Sequence, residues 1–275
     1  MFLKHPPDYD YHTCFICGRD ATSLEHVIPK WLQNRYNLWD QQLVVPNGTS
    51  IPYRKVVVPA CKKCNTEVYG ELEKKVENNS ADESDIWKWA NKIHYGLAHK
   101  DKILEWDRQN PGYKIGDVIK ADDPLEKSRH FLNCISGDFK TDPNPFGSVF
   151  KFEFESFQDF NFAHILNSKS ICICLGNVGY AVFIEDGQTL KRDWSTESLI
   201  RNIPKPSKIW DMLFFYAQCV EHLERHVLGQ NIIMSSGFIG VVGRTVVHKV
   251  EPPNKERFRS LCTRLGITWI DSDPD

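Results

Sequence analysis

The chain has 275 residues, of which 41% are hydrophobic and 25% charged, and its formal net charge at pH 7 is −2. This composition excludes a disordered chain and supports one large or two modest domains with a hydrophobic core. A net charge so near zero excludes a surface that is basic throughout, so any contact with nucleic acid has to rely on local basic patches.

Targeting and redox signals point to the cytoplasm. The sequence shows no charged-then-apolar leader and no apolar run of roughly 18 residues, so we expect neither secretion nor a membrane partner. Its nine cysteines are an odd number, which favours a reducing compartment over a set of disulfides. Five lie in apolar surroundings, where we expect buried free thiols: Cys134, Cys172, Cys174, Cys219 and Cys262.

The remaining four cysteines form two Cys-x-x-Cys pairs, Cys14/Cys17 and Cys61/Cys64. Each pair places two thiolates on one side of a tight bend, and two such pairs supply four sulfurs for a tetrahedral zinc ion. A zinc ribbon that only staples a loop would use the same spacing. The elements between and after the pairs argue against that simpler interpretation.

Those elements are predicted in the following order. Leu24-Glu25-His26 lies on a strand, residues 30–39 form a short helix, and residues 43–58 form a hairpin with its turn at Asn47. A helix opens near Asn65 and runs to about residue 76. Because adjacent strand residues point to opposite faces, Glu25 and His26 do not easily share one ligand set but can perform two different tasks.

A polar stretch at residues 78–84 lacks apolar periodicity, so the sequence predicts a first domain at 1–80 and a second at 81–275. The second domain opens with an amphipathic helix, on which we expect His94 and His99 to be surface or interface residues. A change to alternating apolar and polar residues then predicts a mostly antiparallel sheet with packed helices, an α+β domain. Its expected strands are at 149–155, 232–234 and 238–250, with a hairpin at 170–184, and its expected helices are at 208–228 and 254–265.

Three segments of the first domain carry a resemblance to a known family. They are Cys14-Phe-Ile-Cys17, Leu24-Glu25-His26-Val27-Ile28-Pro29 and Pro59-Ala-Cys61-Lys-Lys-Cys64-Asn65. Over residues 14–73 the chain resembles the HNH endonucleases, also called ββα-metal nucleases, in their zinc-stapled form. The resemblance implies an α+β protein whose first domain has the HNH fold, with structural zinc on the four cysteines. It also implies that Glu25 and Asn65 bind a catalytic Mg²⁺ or Mn²⁺ ion and that His26 is the general base.

The chemistry of these residue types agrees with that interpretation. Phosphodiester hydrolysis needs a deprotonated water near neutral pH, and a histidine with a pKa of about 6.5 can accept that proton. Oxygen ligands suit Mg²⁺ or Mn²⁺, whereas thiolates suit zinc. Four basic residues close in sequence to the second cysteine pair form either a nucleic-acid contact or a solvated face: Arg54, Lys55, Lys62 and Lys63.

The sequence departs from the family pattern at two places. The family carries a middle asparagine a few residues before the second cysteine pair, whereas residues 54–59 here contain none, and Asn47 is better explained by a turn. The lysine common after the position of Asn65 is also missing. Two hypotheses follow: an endonuclease that cuts DNA, by analogy in host defence or mobile-element biology and possible as a homodimer, or a zinc-stapled nucleic-acid- or partner-binding module whose nuclease site has decayed.

Overall fold

A computed structural model describes residues 12–119, 131–132, 140–235, 238–250 and 254–267. The chain divides into two compact units, Met1–Thr141 with Ser236–Phe238, and Asp142–Ser235 with Ile239–Asp275. The expected boundary between residues 80 and 81 therefore differs from the observed division after Thr141. The expectation for Cys134 lies outside the described residues.

Unit 1 is built from short strands around a long helix. Its elements are β1 (Ser23–His26), α1 (Lys30–Arg35), β2 (Gln42–Val44), β3 (Ser50–Pro52), a 3₁₀ turn (Tyr53–Lys55), β4 (Val57–Ala60), a π-helical segment (Lys63–Val68), α2 (Tyr69–Glu77), α3 (Glu83–Asp101) and α4 (Ile115–Val118). β5 (Lys140–Asp142) runs across the division between the units.

The hairpin expected over residues 43–58 is split into two separate pairings. β2 pairs with β3, and Asn47 makes the turn between them, its side-chain oxygen accepting a hydrogen bond from the Thr49 amide at 3.1 Å. The 3₁₀ turn then redirects the chain, and β4 pairs antiparallel with β1. In that register Glu25 lies opposite Val58 and His26 opposite Val57.

The long helix α3 begins where the sequence suggested a linker. Asp82 and Asp85 form a reciprocal capping box, with the Asp85 amide donating to Asp82 Oδ1 at 2.8 Å. The helix is buried on nearly all sides and so is not amphipathic. His94 is fully buried and His99 is only 2% exposed, which makes both of them interface residues and not surface residues. A polar capping motif at the start of a buried helix gives residues 78–84 the composition of a linker.

Unit 2 contains a four-stranded antiparallel sheet in the order β6-β9-β8-β7. The remaining elements are β6 (Ser148–Glu153), β7 (Phe160–Ile165), β8 (Ser170–Leu175), β9 (Val178–Phe183), α5 (Thr189–Arg192), α6 (Trp194–Arg201), α7 (Ile209–Arg225), β10 (His226–Ser235), β11 (Phe238–Val250) and α8 (Lys255–Arg264). Aromatic side chains of β6 pack on α7, with the rings of Phe150 and Phe215 4.9 Å apart. The α+β class is confirmed, and the predicted hairpin at 170–184 is β8 and β9.

Within the part of the chain that the structure describes, no helix has the length and apolarity needed to cross a membrane.

Candidate functional site

The two cysteine pairs meet in space. The turn that holds Cys14 and Cys17 is closed by a hydrogen bond from the Gly18 amide to the Cys14 carbonyl at 2.9 Å, while Cys61 follows β4 directly. Ligand atoms of Cys14, Cys17, Cys61 and Cys64 all lie within 4.8 Å of one another, and the Cys17 and Cys61 sulfurs are 3.7 Å apart. Tetrahedral zinc with Zn–S bonds of about 2.3 Å needs sulfurs about 3.8 Å apart. The cluster therefore fits zinc.

The cysteine thiols of this cluster differ in pKa. Hydrogen bonding with Cys64 lowers the pKa of Cys14, and the same contact raises the pKa of Cys64. Arg19 adds a positive charge, since its Nε lies 3.5 Å from Cys17 Sγ. A site that favours a thiolate and holds its sulfurs at zinc spacing is prepared for a divalent cation.

His26 lies on the exposed face of β1. Its neighbour two residues earlier on the same face, Leu24, is 53% exposed, and the His26 ring stacks on Trp39 with 5.8 Å between centroids. Burial, followed by the charge of Lys30, lowers the pKa of His26. The imidazole is therefore neutral near pH 7, the state that a general base requires.

Trp39 is a site residue that sequence reasoning missed. Trp39 is 39% exposed, and its ring stacks on the ring of His26. The local sequence around Trp39 does not predict this contact, because the stacking depends on the path of the chain between α1 and β2.

Glu25 faces the opposite way, as strand alternation predicts, and is only 6% exposed. Its carboxylate forms an ion pair with the ammonium of Lys92 on α3, and Lys92 also pairs with Glu73 on α2 at 2.5 Å. Sequence analysis identified neither Lys92 nor Glu73 as a partner, since they lie far along the chain from Glu25. The Glu25 oxygen predicted to bind a catalytic cation is thus engaged by a buried lysine.

Asn65 lies in the π-helical segment and reaches back to β1. Its amide nitrogen donates to Ser23 Oγ at 3.0 Å and approaches the Leu24 carbonyl at 3.5 Å. The structure therefore joins Asn65 to β1 through Ser23 and Leu24, and joins Glu25 to the helices through Lys92. Because Lys92 engages a Glu25 oxygen, the two residues do not present an open pair of oxygen ligands for Mg²⁺ or Mn²⁺, and the expected metal-binding role of Glu25 does not fit this arrangement. The Asn65 contacts use its amide nitrogen and leave its side-chain oxygen outside these hydrogen bonds.

The four basic residues lie at both ends of the β1–β4 pair. Lys55 is exposed in the turn before β4, near His26, whereas Lys62 and Lys63 are exposed after β4, where the Lys62 amide donates to Thr22 Oγ1 at 3.1 Å. Arg54 is partly neutralised by an ion pair with Asp40. Three exposed cations thus lie just before and just after β4 in the chain, at the two ends of the β1–β4 pair.

No family model, curated protein or solved structure matches this chain. The fold and the site define a protein with a four-cysteine cluster that fits structural zinc. The cluster links the β1–β4 strand pair to the π-helical segment that follows β4.

Proposed function

We propose that the chain is an HNH-type endonuclease that hydrolyses phosphodiester bonds in DNA, with His26 as the general base. The observation that carries the proposal is the position of His26: a half-buried imidazole on the exposed face of β1, in a strand pair clasped by the four cysteines. The exposed cations at the two ends of that pair support a phosphate backbone lying across it.

In this proposal the His26 imidazole accepts a proton from a water molecule as the water oxygen attacks phosphorus. The bond from phosphorus to the 3′ oxygen breaks in the same step, and the departing 3′ oxygen takes a proton from solvent water. Stacking on Trp39 limits the rotation of the ring and holds it toward the exposed face. The ammonium groups of Lys55, Lys62 and Lys63 attract the phosphates and hold the substrate in register. No step is assigned to a cation on Glu25 and Asn65, because Lys92 engages Glu25. Asn65 instead braces β1 through Ser23.

A second function is supported by one specific observation. The Glu25 carboxylate, which the HNH pattern uses for metal, is buried against Lys92. A zinc-stapled module that binds nucleic acid or a partner without cutting it would tolerate that ion pair. The basic face would then serve binding alone.

The test is a plasmid-nicking assay of wild type, His26→Ala and the control His12→Ala, each with Mg²⁺, with Mn²⁺ and with EDTA. Zinc content and circular dichroism are measured on the same samples, because EDTA also competes for structural zinc. The nuclease proposal requires cutting by wild type and His12→Ala and loss of at least about 100-fold in His26→Ala. Binding of DNA without cutting under all three conditions, with full zinc content, would establish the second function instead.

The role of unit 2 follows from the same proposal. A single His26 site cuts one strand at a time, so a homodimer would explain cutting of both strands. Unit 2 is the candidate for assembling that dimer, selecting the substrate or sensing a signal. Comparing plasmid linearisation with nicking across protein concentrations tests the dimer, since linearisation by a dimer rises more steeply than nicking.

A further inference from the structure

Lys92 is a buried cation enclosed by acceptors. Its side chain is completely shielded from solvent, and its ammonium contacts the Glu25 carboxylate, Glu73 Oε1 at 2.5 Å and the His26 carbonyl at 3.3 Å. The ring of Tyr69 lies beside it, with its centroid 5.6 Å from the nitrogen. A buried ammonium is tolerated only with such compensation.

The charges of this cluster are mutually dependent. Burial by itself would lower the pKa of Lys92, but the Glu25 and Glu73 carboxylates outweigh it and raise that pKa. Burial raises the pKa of Glu73 even though Lys92 opposes the shift. Lys92 therefore remains positively charged and occupies the place beside Glu25 that a metal cation would need.

The contacts of Lys92 converge on the strand segment that presents His26. Glu25 precedes His26, and the carbonyl that Lys92 contacts belongs to His26 itself. One turn further along α3, Gly96 packs on Val27 so closely that an added Cβ would lie 2.9 Å from both Val27 methyl carbons. Helix α3 thus holds the residue before His26, its own backbone and the residue after it.

We propose that Lys92 is a positioning residue for His26, and that Glu25 serves as its ion-pair partner instead of ligating a catalytic cation. This inference rests on the proposed nuclease function for its activity readout. In this inference Glu25 helps to hold the base His26 in place. It does so from the buried face of β1, through the strand backbone that the two residues share.

The two roles of Glu25 predict different responses to Glu25→Gln. A glutamine is similar in size and still accepts a hydrogen bond from Lys92, so positioning predicts a modest fall in kcat. Positioning also predicts that the Mg²⁺ dependence of cutting stays as in wild type, either absent in both proteins or with midpoints within about twofold of each other. Metal ligation predicts that the Mg²⁺ concentration for half-maximal cutting rises by at least about tenfold.

The double variant Lys92→Met, Glu25→Gln removes the Lys92 cation and the Glu25 charge together. Glu73 loses its ion-pair partner, but its side chain is 18% exposed and burial raises its pKa, so it can take up a proton, and the variant is expected to fold. We expect kcat to fall by about 100-fold, since a small displacement of a general base has effects of that size. KM for DNA should stay within about twofold of wild type, because the exposed cations are unchanged. Lys88→Met, a partly exposed lysine on the same helix, is the matched control and should match wild type.

A readout independent of cutting separates failure of this inference from failure of the nuclease proposal. The His26 ring signal is followed by ¹H–¹³C NMR in wild type, the double variant and Lys88→Met, with His26→Ala supplying the assignment. Positioning predicts a shifted or broadened His26 signal in the double variant alone. An unchanged His26 signal in the folded double variant overturns the inference, as does a raised Mg²⁺ midpoint in Glu25→Gln. Absence of cutting by wild type would defeat the nuclease proposal alone and leave the NMR result decisive for positioning.

Discussion

Replacing Cys61 with serine should weaken zinc binding and so remove the cross-link between the two Cys-x-x-Cys pairs. Cys17 and Cys61 are 44 positions apart in the chain, and a zinc ion held by the cluster would join them as a cross-link. Treated as loop closure, a cross-link of that span contributes about 4 kcal/mol to the free energy of unfolding. Because whole domains are stable by only about 5–15 kcal/mol, unit 1 would lose a large share of its stability.

The assay combines zinc quantification with denaturant unfolding followed by tryptophan fluorescence. Trp87 and Trp89 are fully buried in α3 and report on unit 1. The matched control is Cys172→Ser, which makes the same substitution at a buried cysteine of β8 outside the cluster and should retain one zinc ion per chain. If Cys61→Ser keeps a full zinc complement and unfolds at the wild-type denaturant concentration, the cross-link assignment is refuted.

Three further predictions concern the base, a buried acid and the packing of α3. Burial lowers the pKa of His26, so the imidazole stays neutral in mildly acid solution. In a plot of kcat/KM against pH, the midpoint of the acidic limb should therefore lie below pH 6.5, the ordinary pKa of histidine. A midpoint above pH 6.5 would contradict the assignment of His26 as the base. Burial raises the pKa of Asp101 from 3.8 to about 7. The folded state therefore binds the Asp101 proton more tightly than the unfolded state does. The stability that this proton contributes is complete below pH 3.8 and is lost as pH rises through about 7, a loss of about 4 kcal/mol. Asp101→Asn should abolish this pH dependence, which denaturant titrations of both proteins at several pH values would show. Gly96→Ala gains up to about 1 kcal/mol of helix propensity but loses about 1–3 kcal/mol to overlap with Val27, so net destabilisation is expected. Combination with Val27→Ala should relieve the overlap, and strict additivity in the double-mutant cycle would argue against this contact.

Several features of the site could be read from the sequence because they depend on local geometry. Two Cys-x-x-Cys pairs define a four-sulfur cluster whatever the path of the chain between them. Strand alternation separates Glu25 from His26, and the observed burial of Glu25 beside the exposed Leu24 agrees with it. The turn at Asn47 also follows from its own side chain, which accepts a hydrogen bond from an amide two residues later.

Other features depended on contacts between distant segments. The pairing of β4 with β1 replaced the expected single hairpin, since the 3₁₀ turn after β3 changes the direction of the chain. The observed division falls after Thr141 and not at residue 80. A helix cap and a linker share polar composition, and only packing distinguishes them.

The sequence by itself determined the four-cysteine cluster, the opposite faces of Glu25 and His26, and the α+β class, because cysteine spacing and residue periodicity are local properties. The tertiary structure decided what those faces meet. Lys92 is 67 positions from Glu25, and nothing in the periodicity of α3 distinguishes it from a solvated lysine. Its burial against two carboxylates arises only when α2, α3 and β1 pack together, and that packing turns the expected metal ligand Glu25 into half of an ion pair.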